Sequence, residues 1–357
     1  MPILKKAGSV LLGLVLLTVI FLAKDGDVQS LLRDLGLSGN GQANTASGPA
    51  QGGPAQSGSA QNGSAPSATA TNALAAKLTA YITCLNRVDV AMHNNYEPYS
   101  RSFPAAFNGG TIYHRSFKIA PYEVDNSFTK DCAAGLVTAS KTAPANSELD
   151  GAGLRYAEAL TSLVPLLNET DDYLNQQNYR DDGWRRMREE LHPKITASFA
   201  TFFDASDRMR AAVESANLMV AEQRLNDIEK QDGRAYRWHE LNVMHRARLS
   251  LDRTERAVQN GKVETAEIEA AEQSFGQALD GARAYIAANP TVTTRLGNKP
   301  VLFYIESRAV DFLTALKTLR RDTAGGDTRK LGPDMKRITE SFNGLVDDYN
   351  LRVKNGN

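Results

Sequence analysis

Apolar side chains recur at steps of three and four residues through most of this chain, and this spacing constrains its fold more than any other feature. The pattern begins near Leu74 and continues to Val353. Such spacing gathers apolar residues along one face of an α-helix, and no convincing strand alternation interrupts it. We therefore predict an all-α domain over residues 74–357, built from antiparallel helices packed as one or two bundles.

Breaks in this pattern divide the domain into a series of helices. A first helix is expected over residues 74–96, followed by a long ordered loop over 98–121 that is rich in Pro, Gly and aromatic residues. Pro165 should kink the third helix and Pro193 should bend or interrupt the fourth. The later helices are expected over 126–143, from an N-cap at Ser147 to Leu174, and over 181–228, 236–259, 263–288, 302–321 and 329–353.

The N-terminus carries a membrane-directed segment. After Lys5 and Lys6, the 17 residues 7–23 carry no charge, and as a helix they span roughly 26 Å, within the usual range for crossing a membrane once. We favour a retained signal anchor over a cleaved signal peptide, because Phe21 stands where cleavage after Ala23 prefers a small residue. The two lysines favour a cytoplasmic N-terminus, which predicts an inner-membrane protein with its C-terminal domain in the periplasm.

Two further segments separate this anchor or signal peptide, residues 1–24, from the helical domain. Residues 25–37 form a short juxtamembrane stretch, either an amphipathic surface helix or an extension of the anchor. Residues 38–73 contain neither a charge nor a large apolar side chain, so they cannot bury enough surface to offset their ordering entropy. We predict a disordered linker there, with a binding segment as the alternative.

Cys84 and Cys132 are the two cysteines of the chain, and they fall on the first and second predicted helices. In an oxidising compartment they would pair, and closing this loop contributes on the order of 4 kcal/mol through the entropy of the unfolded chain. The alternative is two separate buried thiols. Two cysteines are too few for a Cys-based zinc site.

Charge and motif content argue against several classes of function. The 41 basic and 41 acidic residues cancel, which offers no basic stripe for nucleic acid. No nucleophile elbow, phosphate loop or dinucleotide fingerprint occurs, so an enzyme is disfavoured and no cofactor or catalytic residue is expected. His239 and His245 are six residues apart, not four as in a zinc-protease helix. Glu189-x-x-His192 lacks the second such pair that a di-iron site requires.

Aromatic residues of the 96–122 segment are the best candidates for a recognition surface, because loops carry function more often than framework does. The favoured alternative is that they form a lid over the bundle core. The seven candidates are Tyr96, Tyr99, Phe103, Phe107, Tyr113, Phe117 and Tyr122.

Short motifs spread over most of residues 74–353 carry a family resemblance. They include Tyr81-Ile82-Thr83-Cys84-Leu85-Asn86-Arg87-Val88-Asp89, Tyr156-Ala157-x-Ala159-Leu160, Leu191-His192-Pro193 and Phe342-Asn343-x-Leu345-Val346. Together they resemble the YiiG-like proteins, bacterial envelope proteins grouped under the domain of unknown function DUF3829. The resemblance implies a helical, exported domain in a Gram-negative-type envelope and supplies no catalytic residues. This chain lacks the lipid-attachment cysteine of many such proteins.

We expect a non-enzymatic periplasmic module, tethered to the inner membrane, that binds an envelope protein or a cell-wall component. The long linker and the missing catalytic motifs motivate this expectation. The alternative is a small-ligand-binding or hydrolytic helical domain with a pocket near the 96–122 loop.

Overall fold

The regular structure of the domain is entirely helical within the residues described. The computed structural model describes residues 68–105, 107–109, 126–258, 263–294 and 297–354. The all-α prediction is therefore confirmed for this part of the chain. The predicted anchor, the juxtamembrane stretch and most of the predicted linker lie outside these residues. Among the helices that are described, none is both long enough and apolar enough to cross a membrane.

The first half of the domain is an up-down-up-down four-helix bundle. Tyr99 contacts His192 whereas Asp89 contacts Ser206, so the first helical arm runs antiparallel to the last. The segments are α1 (Ala68–Cys84), a π-helical turn (Leu85–Asp89), α2 (Val90–Ser102), α3 (Asn126–Ser140), α4 (Ser147–Asn175), the short α5 (Tyr179–Asp182), a second π-helical turn (Met187–Leu191) and α6 (His192–Asp232).

The second half is another four-helix bundle with its own core. Phe312 packs edge to face against Phe275 on one side and against Phe342 on the other, which ties three of the helices together. The segments are α7 (Tyr236–Val258), α8 (Thr265–Ala288), α9 (Leu302–Ala324), a 3-10 turn (Thr328–Lys330) and α10 (Leu331–Lys354).

The long helix α6 joins the two bundles. Its 41 residues span about 62 Å at 1.5 Å per residue. Residues of α6 up to Val220 are buried in the first core. The same helix packs against α7 of the second bundle. Glu214 contacts Arg248 and Glu222 faces His245, so α6 and α7 run antiparallel. Gly233 ends α6 with a φ of 70°, a conformation that favours glycine. The sequence pattern did not distinguish one helical bundle from two, and the structure shows two, each with its own core.

Two helix starts differ from those expected. α1 begins at Ala68, inside the predicted linker, because its first turns are rich in alanine, the best helix former. The N-cap of α4 is Asn146 and not Ser147, since the Asn146 side chain accepts a hydrogen bond from the Leu149 amide.

The helices at Pro165 and Pro193 can also be compared with their predicted kink and bend. α4 continues through Pro165 as one helix of 29 residues. Pro193 closely follows the π-helical turn Met187–Leu191, and Leu191 and His192 both keep helical backbone angles, so the helix continues through the proline without a break. The long pattern expected over 181–228 is interrupted earlier, at Gly183, whose φ is 60°.

Candidate functional site

The predicted recognition segment begins in a helix and not in a loop. Tyr96 and Tyr99 both lie within α2, which continues through Pro98 and ends at Ser102. This corrects the expected start of the loop. Pro98 costs the helix one backbone hydrogen bond, whereas continuing the helix buries Tyr99, and an aromatic side chain buries a large apolar area.

Three of the seven aromatic candidates belong to the first core. Tyr99 and Phe103 are each 1% exposed and Phe107 is 9% exposed, so they pack the interior and do not form an accessible surface. Tyr96 is half-buried and packs against the same core. The other three candidates lie outside the described residues, and a recognition role for them stays a prediction. They are Tyr113, Phe117 and Tyr122.

These buried rings close one end of the first bundle around His192. The Tyr99 hydroxyl lies 2.6 Å from His192 Nδ1, within hydrogen-bond distance. The rings of Phe103 and Phe107 lie 6.4 and 6.3 Å from the imidazole. Burial lowers the pKa of His192, so the ring is neutral at pH 7. His192 thus serves the packing of the bundle end.

The two cysteines come together as predicted from their helices. The Cα atoms of Cys84, at the end of α1, and Cys132, in α3, lie 5.2 Å apart, inside the range of disulfides. The pair links α1 to α3 directly before the first π-helical turn.

A closed charge network lies at the centre of the first bundle, and the sequence pattern did not predict it. The π-helical turn Leu85–Asp89 brings both Val88 and Asp89 into the core. Ser206 Oγ donates to Asp89 Oδ1 at 2.6 Å, and the Arg210 guanidinium pairs with the other carboxylate oxygen. All three polar side chains are buried, so this network holds the π-helical turn between α1 and α2 against α6 and is inaccessible to a ligand.

An open groove of roughly 480 Å³ lies on the outside of the first bundle, along the second half of α4. Its walls are polar side chains of α4, of the following turn and of the segment before the second π-helical turn. The lining residues are Pro165, Asn168, Glu169, Asp172, Tyr173, Gln176, Asn178 and Arg186.

The turn beside this groove has an unusual backbone. Gln177 and Trp184 have φ values of 59° and 67°, a left-handed conformation that costs a non-glycine residue, and a bulky one most of all. Packing holds Trp184 there: its ring stacks on the nearby Tyr179 with 4.3 Å between ring centroids and lies edge to face on Phe107, distant in sequence, at 5.5 Å. Backbone strain of this kind concentrates at functional sites, which favours the groove as the candidate site.

The groove combines both charges with neutral amides. Arg186 forms an ion pair with Glu169 across the groove, and these side chains are 39% and 42% exposed. Asp172 adds an exposed carboxylate. The lining therefore holds two carboxylates and one guanidinium beside three side-chain amides, each of which can donate and accept hydrogen bonds. Such a surface suits a ligand rich in hydroxyl and amide groups that is neutral or carries a positive charge.

Weak signals of this groove were present in the sequence. Pro165 stands in the middle of a helical pattern, and residues 175–178 read Asn-Gln-Gln-Asn, an amide-rich run that favours a turn over a helix. The two are separated by more than two helical turns, so periodicity alone did not bring them together.

Across the described part of the chain, no group of three His, Cys, Asp or Glu side chains is arranged to hold a metal ion.

Comparison with known proteins places this architecture in a family. The family described as "Protein of unknown function (DUF3829)" matches residues 72–355. The uncharacterized protein YiiG of Escherichia coli (strain K12) is 24% identical over 279 residues, which cover 77% of this chain and 78% of YiiG. No solved structure matches the chain significantly. Because the match extends over both four-helix bundles, the chain belongs to the DUF3829 family.

Proposed function

We propose that this chain is a non-catalytic module of the bacterial envelope that binds a cell-wall component through the groove on α4. The observation that carries the proposal is the groove itself, whose volume of roughly 480 Å³ falls in the range of small-ligand sites. Its amides, carboxylates and guanidinium complement the hydroxyl and amide groups of a glycan that carries short peptides. None of the residues that line the groove belongs to the 96–122 segment, where the alternative pocket was expected.

Features of the chain before α1 support an envelope location. Residues 7–23 have the length and composition of a membrane anchor. Residues 38–67 are uncharged, and a flexible chain of that length reaches roughly 30 Å. A tether of this kind lets the groove reach cell-wall material near the membrane. The disulfide-range pair Cys84–Cys132 suits an oxidising compartment such as the periplasm.

Co-sedimentation of the full chain, in detergent, with purified peptidoglycan sacculi tests the proposal. We expect wild-type protein to sediment with sacculi and the double variant Asn168→Ala/Asn178→Ala to bind about 10-fold more weakly. Two neutral hydrogen bonds together contribute on the order of 1.4 kcal/mol, which corresponds to that factor.

Asn175→Ala is the matched control, because Asn175 is exposed on the same helix and pairs with Asp171 outside the groove lining. Its binding should equal that of the wild type. Equal binding of all three proteins would place the contact elsewhere on the surface. If no protein sediments, while crosslinking in cells captures an envelope protein at the groove, the bound component is a protein and not the cell wall.

A further inference from the structure

Two buried ion pairs lie on successive turns of α6. Arg210 pairs with Asp89 in the first bundle. Four residues later, Glu214 accepts a hydrogen bond from Arg248 Nε of α7 at 2.5 Å. Arg248 is 4% exposed and Glu214 is 9% exposed, so both charges of this second pair are buried. α6 therefore connects the charged interior of the first bundle to the junction with α7.

The second pair is part of a cluster whose charges do not balance. Arg248 also binds Asp252 at 2.9 Å, and Glu255 follows Asp252 on α7. Within the described residues, one nitrogen of Arg248 and Glu255 Oε1 are buried without a hydrogen-bond partner. Three carboxylates thus share one guanidinium, which leaves two uncompensated negative charges when all three are ionised. Glu214 is buried, whereas Asp252 and Glu255 are partly buried, and uncompensated charge in such surroundings is costly.

The proton affinities of the carboxylates follow from this arrangement. Burial raises the pKa of Glu255 to about 7, with the charges of Asp252 and Glu214 adding to the effect and Arg248 opposing it. Burial also raises the pKa of Glu214, although Arg248 lies beside it. Glu214 and Glu255 therefore bind protons more tightly than exposed carboxylates do.

Charged groups on the neighbouring helices complete the surroundings. On α6, Glu222 faces His245 of α7, whose pKa is lowered by burial. From α8, Glu267 pairs with Arg253 on the outer side of α7. The opposite pair of helices, α9 and α10, contribute charges that interact with one another, namely Asp322, Lys330, Asp334 and Arg337.

We propose that the α6–α7 junction is a proton-responsive hinge between the two bundles. With protons on the cluster, its charge approaches balance and α7 packs closely on α6. With Glu214, Asp252 and Glu255 all ionised, mutual repulsion and the demand for hydration separate the helices near Glu255, and the second bundle gains freedom relative to the first. This inference goes beyond ligand binding and does not depend on the groove.

Pulsed electron paramagnetic resonance on the full chain measures how freely the second bundle moves relative to the first. Spin labels at Glu158→Cys and Lys336→Cys, both exposed positions, report the distance between the bundles while Cys84 and Cys132 stay oxidised. We expect one narrow distance distribution at about pH 5.5 and a broader, longer one at about pH 8.5. The midpoint should lie near pH 7, where Glu255 titrates.

Glu255→Gln removes the key charge with little change in shape, and it should keep the narrow distribution at about pH 8.5. Glu306→Gln is the control, because Glu306 forms a partly exposed ion pair with Arg283 in the same bundle, and it should respond to pH as the wild type does. A distribution that is independent of pH, or the same response in both variants, would overturn the proposal. So would a distance change that coincides with loss of helical circular dichroism, since that reports unfolding.

Discussion

The two buried charge clusters of this protein lie one helical turn apart on α6 and are built differently. In the first bundle, Asp89 meets the Arg210 guanidinium and the Ser206 hydroxyl, one donor group for each carboxylate oxygen. At the junction, Arg248 faces the carboxylates of Glu214, Asp252 and Glu255. The two arrangements therefore have different consequences, because a balanced pair fixes a geometry whereas an unbalanced cluster makes the geometry depend on bound protons.

The bundles differ in their crosslinks as well. The first bundle contains the Cys84–Cys132 pair. It also contains the buried Lys77, whose ammonium donates to the Thr142 and Pro144 carbonyls at 2.8 and 2.9 Å. The second bundle has no cysteine in its sequence. We therefore expect the first bundle to be the rigid half.

Each bundle region contains one tryptophan, Trp184 in the first and Trp238 in the second. The unfolding of the two bundles can therefore be followed separately by fluorescence.

Breaking the balanced pair should have the largest effect. Arg210→Met leaves the Asp89 carboxylate buried without its cation, and loss of one partner of a buried pair costs about 4 kcal/mol in the free energy of unfolding. Guanidinium unfolding followed by Trp184 in a Trp238→Phe background measures this loss.

Arg208→Ala provides the control for Arg210→Met. Its side chain is 59% exposed in an ion pair with Asp204, and because solvent screens such pairs the substitution should leave the free energy of unfolding nearly unchanged. Equal effects of the two substitutions would show that the buried pair does not distinguish the first bundle.

Removing the crosslink should have the next largest effect. Cys84→Ala/Cys132→Ala opens a loop with a sequence separation of 48 residues. We expect a loss of about 3 kcal/mol, less than the loop entropy of about 4 kcal/mol because the unfolded chain retains residual structure. The loss should appear in the Trp184 transition and not in the Trp238 transition. Coincident shifts of both transitions would mean that the bundles unfold as one unit, and the contrast between them would then be lost.

The smallest expected effect is the dependence of the free energy of unfolding on the protonation of Glu255. The folded-state pKa of Glu255 lies near 7, above its ordinary 4.5, so the stabilisation from its proton is complete below about pH 4.5 and is lost as the pH rises through 7. At about pH 8, Glu255→Gln should therefore be more stable than wild type by about 2 kcal/mol. At about pH 4.5 the two should be nearly equal.

Denaturant unfolding followed by Trp238 at both pH values checks this prediction. The Glu306→Gln variant should show no such gain at high pH, because Glu306 shares an exposed ion pair. A gain for Glu255→Gln that is the same at both pH values would indicate improved packing and not relief of charge.

Periodicity was sufficient to predict the helices because each buries one face, and their apolar residues repeat with the helical pitch. It did not predict the two π-helical turns, since apolar residues keep steps of three and four across them, as at Leu85, Val88 and Met92. It also did not explain why residue 153 is a glycine. A Cβ added at Gly153 would lie 2.5 Å from the Tyr81 ring. The groove was missed because its walls come from separate turns.

The sequence by itself determined that this part of the chain is helical, where most helices end, and that its two cysteines lie on helices able to meet. These properties are local, since they follow from spacing, caps and breakers within short segments. Only the tertiary structure decided that there are two cores, that Asp89 has a partner 121 residues away, and that three carboxylates converge on Arg248. The reason is physical: burial and charge balance depend on which helix faces which, and no segment contains that information alone.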